Sequence, residues 1–497
     1  MLVEHLPALQ VVIPLVAAPV CVLLHKGRLA WGFTTIVSWA ALAVAIGLLN
    51  QVLARGVISY ELGGWAPPWG IEYRVDVANA FVLLVVALIS AVVLTFARES
   101  VEREVADDRI YLFYTAWLLC LAGLLGIAIT GDAFNLFVFL EISSLSSYAL
   151  ISFSRDRRAL TAAFQYLVMG TIGATFILIG VGLMYAMTGT LNMVDLAARL
   201  PAVDGTRTVQ AAFAFLTVGI GIKMALFPLH GWLPNAYAYA PSAVTAFLAG
   251  TATKVAVYVW LRFFFTVFGA GFSFSTMQLD WLLGPLALLG VFVTSVIATW
   301  QNDVKRLLAY SSVAQIGYMA LGISLVSVTG VTAALVHLFN HALIKTALFL
   351  VLGCIVYRVG SPRIEAMAGL GRRMPLTLAA YVVGGLSLVG VPLTVGFISK
   401  WYLILAALEQ GLWPVALLVV ASSLIALIYI WRVVEAAYFR EPAPGALVNG
   451  DEPREAPVSL LAPTWALIAA NVYFGLDTSV TVGVATRAAQ TLLGAGS

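Results

Sequence analysis

The chain has 497 residues, is 62% hydrophobic and only 10% charged, and carries a formal net charge of +3. A soluble domain carries about 25% charged residues, so this composition places the chain in a lipid bilayer. Transmembrane β-barrels are excluded, because the apolar runs are long and continuous rather than short and alternating.

Runs of roughly 20 apolar residues, the length needed to cross the hydrocarbon core, occur about fourteen times, near 8–25, 29–53, 75–97, 109–130, 132–152, 161–187, 210–234, 241–267, 280–300, 305–326, 328–358, 376–408, 412–438 and 457–475. The amino end, MLVEHLPALQ, has no cationic region ahead of a short apolar core, so the first helix is expected to be kept rather than cleaved as a signal peptide. Cys21, Cys120 and Cys354 lie inside apolar runs without metal-ligand or disulfide spacing, and neither a metal nor a resident cofactor is expected. Loops after odd-numbered helices carry most of the Lys and Arg, whereas those after even-numbered helices hold Arg55, Arg74, Arg199, Arg207 and Arg262. By the positive-inside rule both termini face outward, in a bacterial inner membrane. The short tail after the last run is compatible with an amphipathic segment.

Within the predicted spans remain Lys223, Lys254, Lys345, Lys400 and one deep acid, Glu141. Each such charge at mid-bilayer costs about 2.5–3.5 kcal/mol on insertion scales, so the set opposes insertion by on the order of 10 kcal/mol. A single lysine near a helix end can snorkel to the headgroups; five charges together point to a protein interior or internal water. In HLFNHALIKTALFL, His337, His341 and Lys345 drift by only about 80° around a helix and span roughly 12 Å along it. The segment lacks the glutamate of a metalloprotease helix. It reads either as a pair of structural, hydrogen-bonding histidines or as a proton relay, in which neutral imidazole accepts on one nitrogen and donates from the other.

Two spans contain breakers. Pro228 follows Lys223 by five residues, and Pro392 and Gly396 precede Lys400. Each is either an ordinary kink or a break whose freed backbone groups line a cavity. The breaks fall in the seventh and twelfth helices, and an odd offset of five inverts orientation. The expected fold is an all-α polytopic membrane protein of about fourteen transmembrane helices. It holds two inverted five-helix repeats, helices 4–8 and 9–13, with helices 7 and 12 broken. The corresponding units are 1–108, 109–267, 268–440 and 441–497.

Five stretches in order carry a resemblance: GDAFNLFVFLEISSLSSYAL, AFQYLVMGTIGATFILIGVGLMYAMTGTLN, KMALFPLHGWLPNAYAYAPSAVTAFLAGTATKVAVY, NDVKRLLAYSSVAQIGYM and HLFNHALIKTALFL. Over about residues 70–440 the chain resembles the proton-translocating antiporter-like subunits shared by respiratory complex I, membrane-bound hydrogenases and Mrp-type cation/proton antiporters. FPLHGWLPNAY and MTGTLN look most like the D component of the Mrp group. The resemblance implies that Glu141 modulates a pump lysine, Lys223, on the broken seventh helix. It further implies that Lys254 is the central lysine of the eighth, that His337, His341 and Lys345 form the hydrophilic axis of the eleventh, and that Lys400 is the terminal group on the twelfth. Many relatives have a second proline where this chain has Leu393 and a smaller residue in place of Val395, so the shape of the second break stays open. Lys305 and Arg306, beside Asp303, read as topology and capping residues.

The expected function is proton translocation in a hetero-oligomeric sodium/proton antiporter, with other membrane subunits, protons, sodium and the bilayer as partners and no nucleic acid. One rival places the same path in a redox-driven pump. The chain itself has no nucleotide fingerprint, since Gly219 and Gly221 lie inside an apolar helix, and redox chemistry would come from partners. Another rival is a non-conducting scaffold or an energy-coupling subunit for inorganic-carbon uptake.

Overall fold

The computed structural model describes residues 2–441 and 454–494, so the start of the expected unit 441–497 lies largely outside the described residues. Long apolar runs in a bilayer satisfy their backbone internally, and here they do so as helices. Three precede the first expected repeat: α1 (Leu6–Leu24), α2 (Gly27–Arg55) and α3 (Val77–Glu104). The first repeat comprises α4 (Ile110–Ile129), α5 (Ala133–Ser152), α6 (Arg158–Thr188), α7 in two halves, α7a (Arg207–Met224) and α7b (Leu233–Tyr239), and α8, also in two, α8a (Ser242–Gly250) and α8b (Ala252–Leu261). The second comprises α9 (Leu279–Thr299), α10 (Val304–Ser324), α11 (Val328–Val359), α12a (Pro375–Val389), α12b (Val395–Glu409) and α13 (Trp413–Phe439). α14 (Val458–Leu476) and a tail helix, α15 (Ser479–Leu492), complete the chain.

Among the described residues, twelve helical stretches are long and apolar enough to cross a membrane. The split helices α7 and α12 bring the set to the expected fourteen. The two repeats pack in the same order: α4 on α5 and α5 on α6 in the first, α9 on α10 and α10 on α11 in the second, with α7a against α6 and α12b against α11. A two-stranded antiparallel hairpin, β1 (Ile58–Glu61) with β2 (Glu72–Val75), is the main non-helical addition. Its buried Glu72 accepts from Ser59 Oγ at 2.6 Å and Asn192 Nδ2 at 2.8 Å, which ties the hairpin to the loop after α6.

The seventh helix breaks three residues before Pro228, where Ala225 turns left-handed at φ 58°. The carbonyl of Ile222, freed by the break, accepts from the Trp232 indole at 2.9 Å, and that ring stacks on Tyr166 of α6 at 3.9 Å. In the twelfth, the interruption runs from Gly390, at φ 94°, to Thr394, and Leu393 sits at φ 72°. Proline cannot adopt that φ, so this break has a shape that a proline at 393 could not share. Gly396 is not part of the interruption but lies in α12b, where a Cβ would stand 1.7 Å from the Ser387 carbonyl oxygen. It lets the two halves approach.

The eighth helix, expected to run unbroken over 241–267, is instead interrupted at Thr251, at φ −125° and ψ −61°. Gly250 and the two threonines of GTATK are weak helix formers, but the sequence holds no proline there, and only packing fixes the break.

Overpacking typically costs about 1–3 kcal/mol. Gly396→Ala is therefore expected to lower the thermal unfolding midpoint of the detergent-extracted protein clearly below that of Gly182→Ala, whose added methyl meets nothing within 4 Å.

Candidate functional site

All the sequence-derived site residues except Glu141 are buried, and they fall into two groups with Lys254 standing apart. The first surrounds Lys223, in the last turn of α7a. Its ammonium donates to Ser144 Oγ at 2.9 Å. Glu141 lies one turn earlier on α5, half-buried, beside the exposed stripe of Phe134, Val138 and Leu145, and its Oε1 has no hydrogen-bond partner. No ion pair joins Glu141 to Lys223, whose ammonium turns to Ser144 instead. A small cavity of about 40 Å³ lined by Ser143, Ser144, Ser147, Tyr166 and Lys223 reaches α8b at Ala252 and Val255. It has room for roughly one or two water molecules.

The second group runs along α11. Lys345 donates to Ser311 Oγ and to the Leu308 carbonyl, at 2.9 Å, on α10. One turn away is His341, neither of whose ring nitrogens meets a protein partner. His337 follows, its ring stacked 5.9 Å from His341, its Nδ1 2.8 Å from Ser399 Oγ and its Nε2 unpartnered. Ser399 adjoins Lys400, whose ammonium donates to the Val389 carbonyl at 2.8 Å, the Leu388 carbonyl at 3.3 Å and Ser423 Oγ at 2.9 Å, and lies 5.0 Å from the centre of the Tyr318 ring. Tyr318 also packs against His337, at 5.6 Å between rings. These contacts link the eleventh and twelfth helices into one polar line.

Lys254 stands at the newly found break. Its ammonium donates to the Ala249 carbonyl, the last turn of α8a, and to Thr253 Oγ1. Lys400 does the same at the end of α12a. The negative end of a helix dipole and its unpaired carbonyls stabilise a cation, so the breaks themselves solvate two of the four lysines.

Two placements differ from expectation. Arg262 is not in a loop: it is buried in a π-helical continuation of α8b, and its guanidinium pairs with Asp76, the N-cap of α3, at 2.6 Å. Lys305 is not a surface topology residue but is buried at the foot of α10, 4.0 Å from Glu104. Neither pair was visible in the sequence, because the partners are separated by more than 180 residues in each case.

The residues 130–426 match the family described as NADH:quinone oxidoreductase/Mrp antiporter, TM. The chain belongs to this family. It is 43% identical over 484 residues to NADH-quinone oxidoreductase subunit N of Desulforudis audaxviator, covering 95% of this chain and 96% of that protein. It is 30% identical over 442 residues to the D component of the Na(+)/H(+) antiporter of Alkalihalophilus pseudofirmus, covering 88% of each. A chain in the structure of the Mrp complex from Dietzia sp. superposes with a TM-score of 0.90 at 28% identity, covering 100% of this chain and 98% of that one. This is therefore a multi-pass membrane subunit of the antiporter-like kind, and its relatives work within assemblies of several membrane subunits.

Removing one member of a buried ion pair costs about 3–5 kcal/mol. Asp76→Asn is expected to destabilise the antiporter-like subunit by an amount of that order, read as a lowered thermal unfolding midpoint. Ser399→Ala, which strips His337 of its one hydrogen-bond partner, is expected to leave that midpoint nearly unchanged and to slow proton flux severalfold in membrane vesicles.

Proposed function

We propose that this subunit moves protons across the membrane along Glu141, Lys223, Lys254, Lys345, His341, His337 and Lys400. The observation that carries this reading is the line of buried, titratable side chains on α11 and α12b, with three imidazole nitrogens of His337 and His341 lacking any protein partner. Buried polar atoms are satisfied in folded proteins, so these nitrogens call for internal water, and water between imidazoles makes a proton relay. A scaffold gains nothing from burying four lysines at this cost.

In this reading Lys223 is loaded and unloaded by Glu141 through Ser144. An ammonium beside a carboxylate holds its proton, and one left alone in an apolar pocket releases it. Glu141, at the edge of an exposed stripe of α5, is placed to respond to a neighbouring subunit. The units 109–267 and 268–440 each contribute one half of the route, and the termini face outward, as the placement of Lys and Arg suggests.

The driving assembly is a sodium/proton antiporter of the Mrp kind, supported by the close superposition along the whole chain on a component of such a complex. A second reading, the proton-pumping arm of a redox-driven complex, is supported by the higher sequence identity to a quinone oxidoreductase subunit.

Everted vesicles carrying the whole gene cluster, monitored with a pH-sensitive dye, separate these. Sodium is expected to dissipate the pH gradient in wild type, and Glu141→Ala, Lys223→Ala and His341→Ala are expected to abolish this at matched complex levels. Acidification driven only by an electron donor would replace the antiporter by the redox pump. Unchanged activity in all three variants would sink the path itself.

A further inference from the structure

A cavity of about 700 Å³ opens on the end of the bundle rich in arginine and reaches the junction of the two repeats. Arg103, Arg155, Arg158, Arg306 and Arg363 ring it, and Glu104 and Lys305 lie at its inner side. Basic groups outnumber carboxylates around it, which disfavours a metal cation while leaving a wetted route to protons. Of its carboxylates, Asp156 is held below the ordinary range by the hydrogen bond from Arg158, and Glu365 is exposed. Burial lifts the Asp303 carboxyl, but Asp303 is engaged as the N-cap of α10, accepting from the Arg306 N–H at 3.1 Å. Glu104 is different. Its contacts lead inward.

Glu104 Oε2 accepts from the backbone N–H of Ser242 at 2.9 Å and from its hydroxyl at 3.0 Å, and Lys305 Nζ is 4.0 Å away. Lys305 itself donates to the Ala240 carbonyl at 3.2 Å. Three residues further along α10, roughly 4.5 Å by helical rise, is Leu308, whose carbonyl takes the Lys345 ammonium. On the other side, Ser242 begins α8a, whose far end holds Lys254. One carboxylate thus reaches the feet of α8a and α10, the helices whose carbonyls receive the Lys254 and Lys345 ammoniums. We propose that Glu104, with Lys305 beside it, is the group through which the buried axis exchanges protons with water on the arginine-rich face.

The step is a proton transfer only. The Glu104 carboxylate takes a proton delivered as hydronium through the cavity; the Lys305 ammonium passes its own proton through intervening water to the neutral Lys345 amine and is reprotonated by Glu104, which returns to its anionic form. The inference rests on the proton-path reading above, and a purely structural role for Glu104, capping the start of α8a, is the alternative to be separated.

Glu104→Cys in the assembled complex separates them, because Cys21, Cys120 and Cys354 are buried and leave the cavity thiol the selectively reactive one within this chain. In everted vesicles, with wild type treated in parallel, Glu104→Cys is expected to lower proton flux at least tenfold. Alkylation with iodoacetate, which restores a protonatable carboxylate, is expected to recover a third or more of it. Iodoacetamide, which is neutral, and 2-sulfonatoethyl methanethiosulfonate, which adds an anion that holds no proton near neutral pH, are expected to recover none. Equal recovery with the sulfonate would reduce Glu104 to a helix cap and overturn the proposal. So would near wild-type flux in Glu104→Cys while Lys223→Ala abolishes it; if Lys223→Ala also conducts, the path as a whole fails and this site with it. Should Glu104→Cys not assemble, Lys305→Gln leaves the α8a cap in place and is expected to slow flux about fivefold per complex, and unchanged flux there overturns the proposal equally.

Discussion

Four ammonium groups held inside a membrane protein constrain the rest of this structure. Their insertion is unfavourable unless each finds oxygen ligands within the bundle, and the chain supplies these in two ways. At α8 and α12 the helix is interrupted, and the carbonyls released at the end of the first half turn to Lys254 and Lys400. At Lys223 and Lys345 serine hydroxyls of the neighbouring helix take part, from Ser144 and Ser311. The irregular backbone and the buried charge therefore satisfy one another. Such non-helical backbone at membrane depth is tolerated only where protein or internal water covers it.

This mutual dependence also explains why α3 matters, although it lies outside both repeats. It is mostly buried, and its two ends carry Asp76 and Glu104. Asp76 holds Arg262 just beyond the end of α8b, and Glu104 holds Ser242 at the start of α8a. A helix broken in the middle has little stiffness of its own; clamped at both ends by one straight neighbour, it keeps Lys254 in place. Close approach of backbones does similar work elsewhere. Gly219 of α7a and Gly173 of α6 each face the other's carbonyl, leaving no room for a side chain, and packing of this kind holds helices together where lipid offers no hydrophobic driving force.

Lys345, His341, His337, Ser399 and Lys400 follow one another along α11 and α12b, and the histidines keep nitrogens free of protein partners. Nothing in the line has the dense carboxylate lining of a dehydrated sodium site, and among the described residues no cluster of His, Cys, Asp or Glu is arranged to hold a metal ion.

Hydropathy in the sequence by itself determined the class, the number of spans and the identity of the buried charges, because an apolar run of about 20 residues has one stable outcome in a bilayer and a lysine within it stands out against its neighbours. Proline and glycine located two of the three broken helices. Tertiary structure decided what those signals could not: where each break begins, that Leu393 turns left-handed, that α8 parts at Thr251 without any proline, and that Ser144 rather than Glu141 receives Lys223. It also turned Arg262 and Lys305 from apparent loop and topology charges into buried partners of Asp76 and Glu104. Backbone breaks and ion pairs of this kind are fixed by residues far apart in the chain, through packing and the shared need to satisfy polar groups away from water, and no local pattern records them.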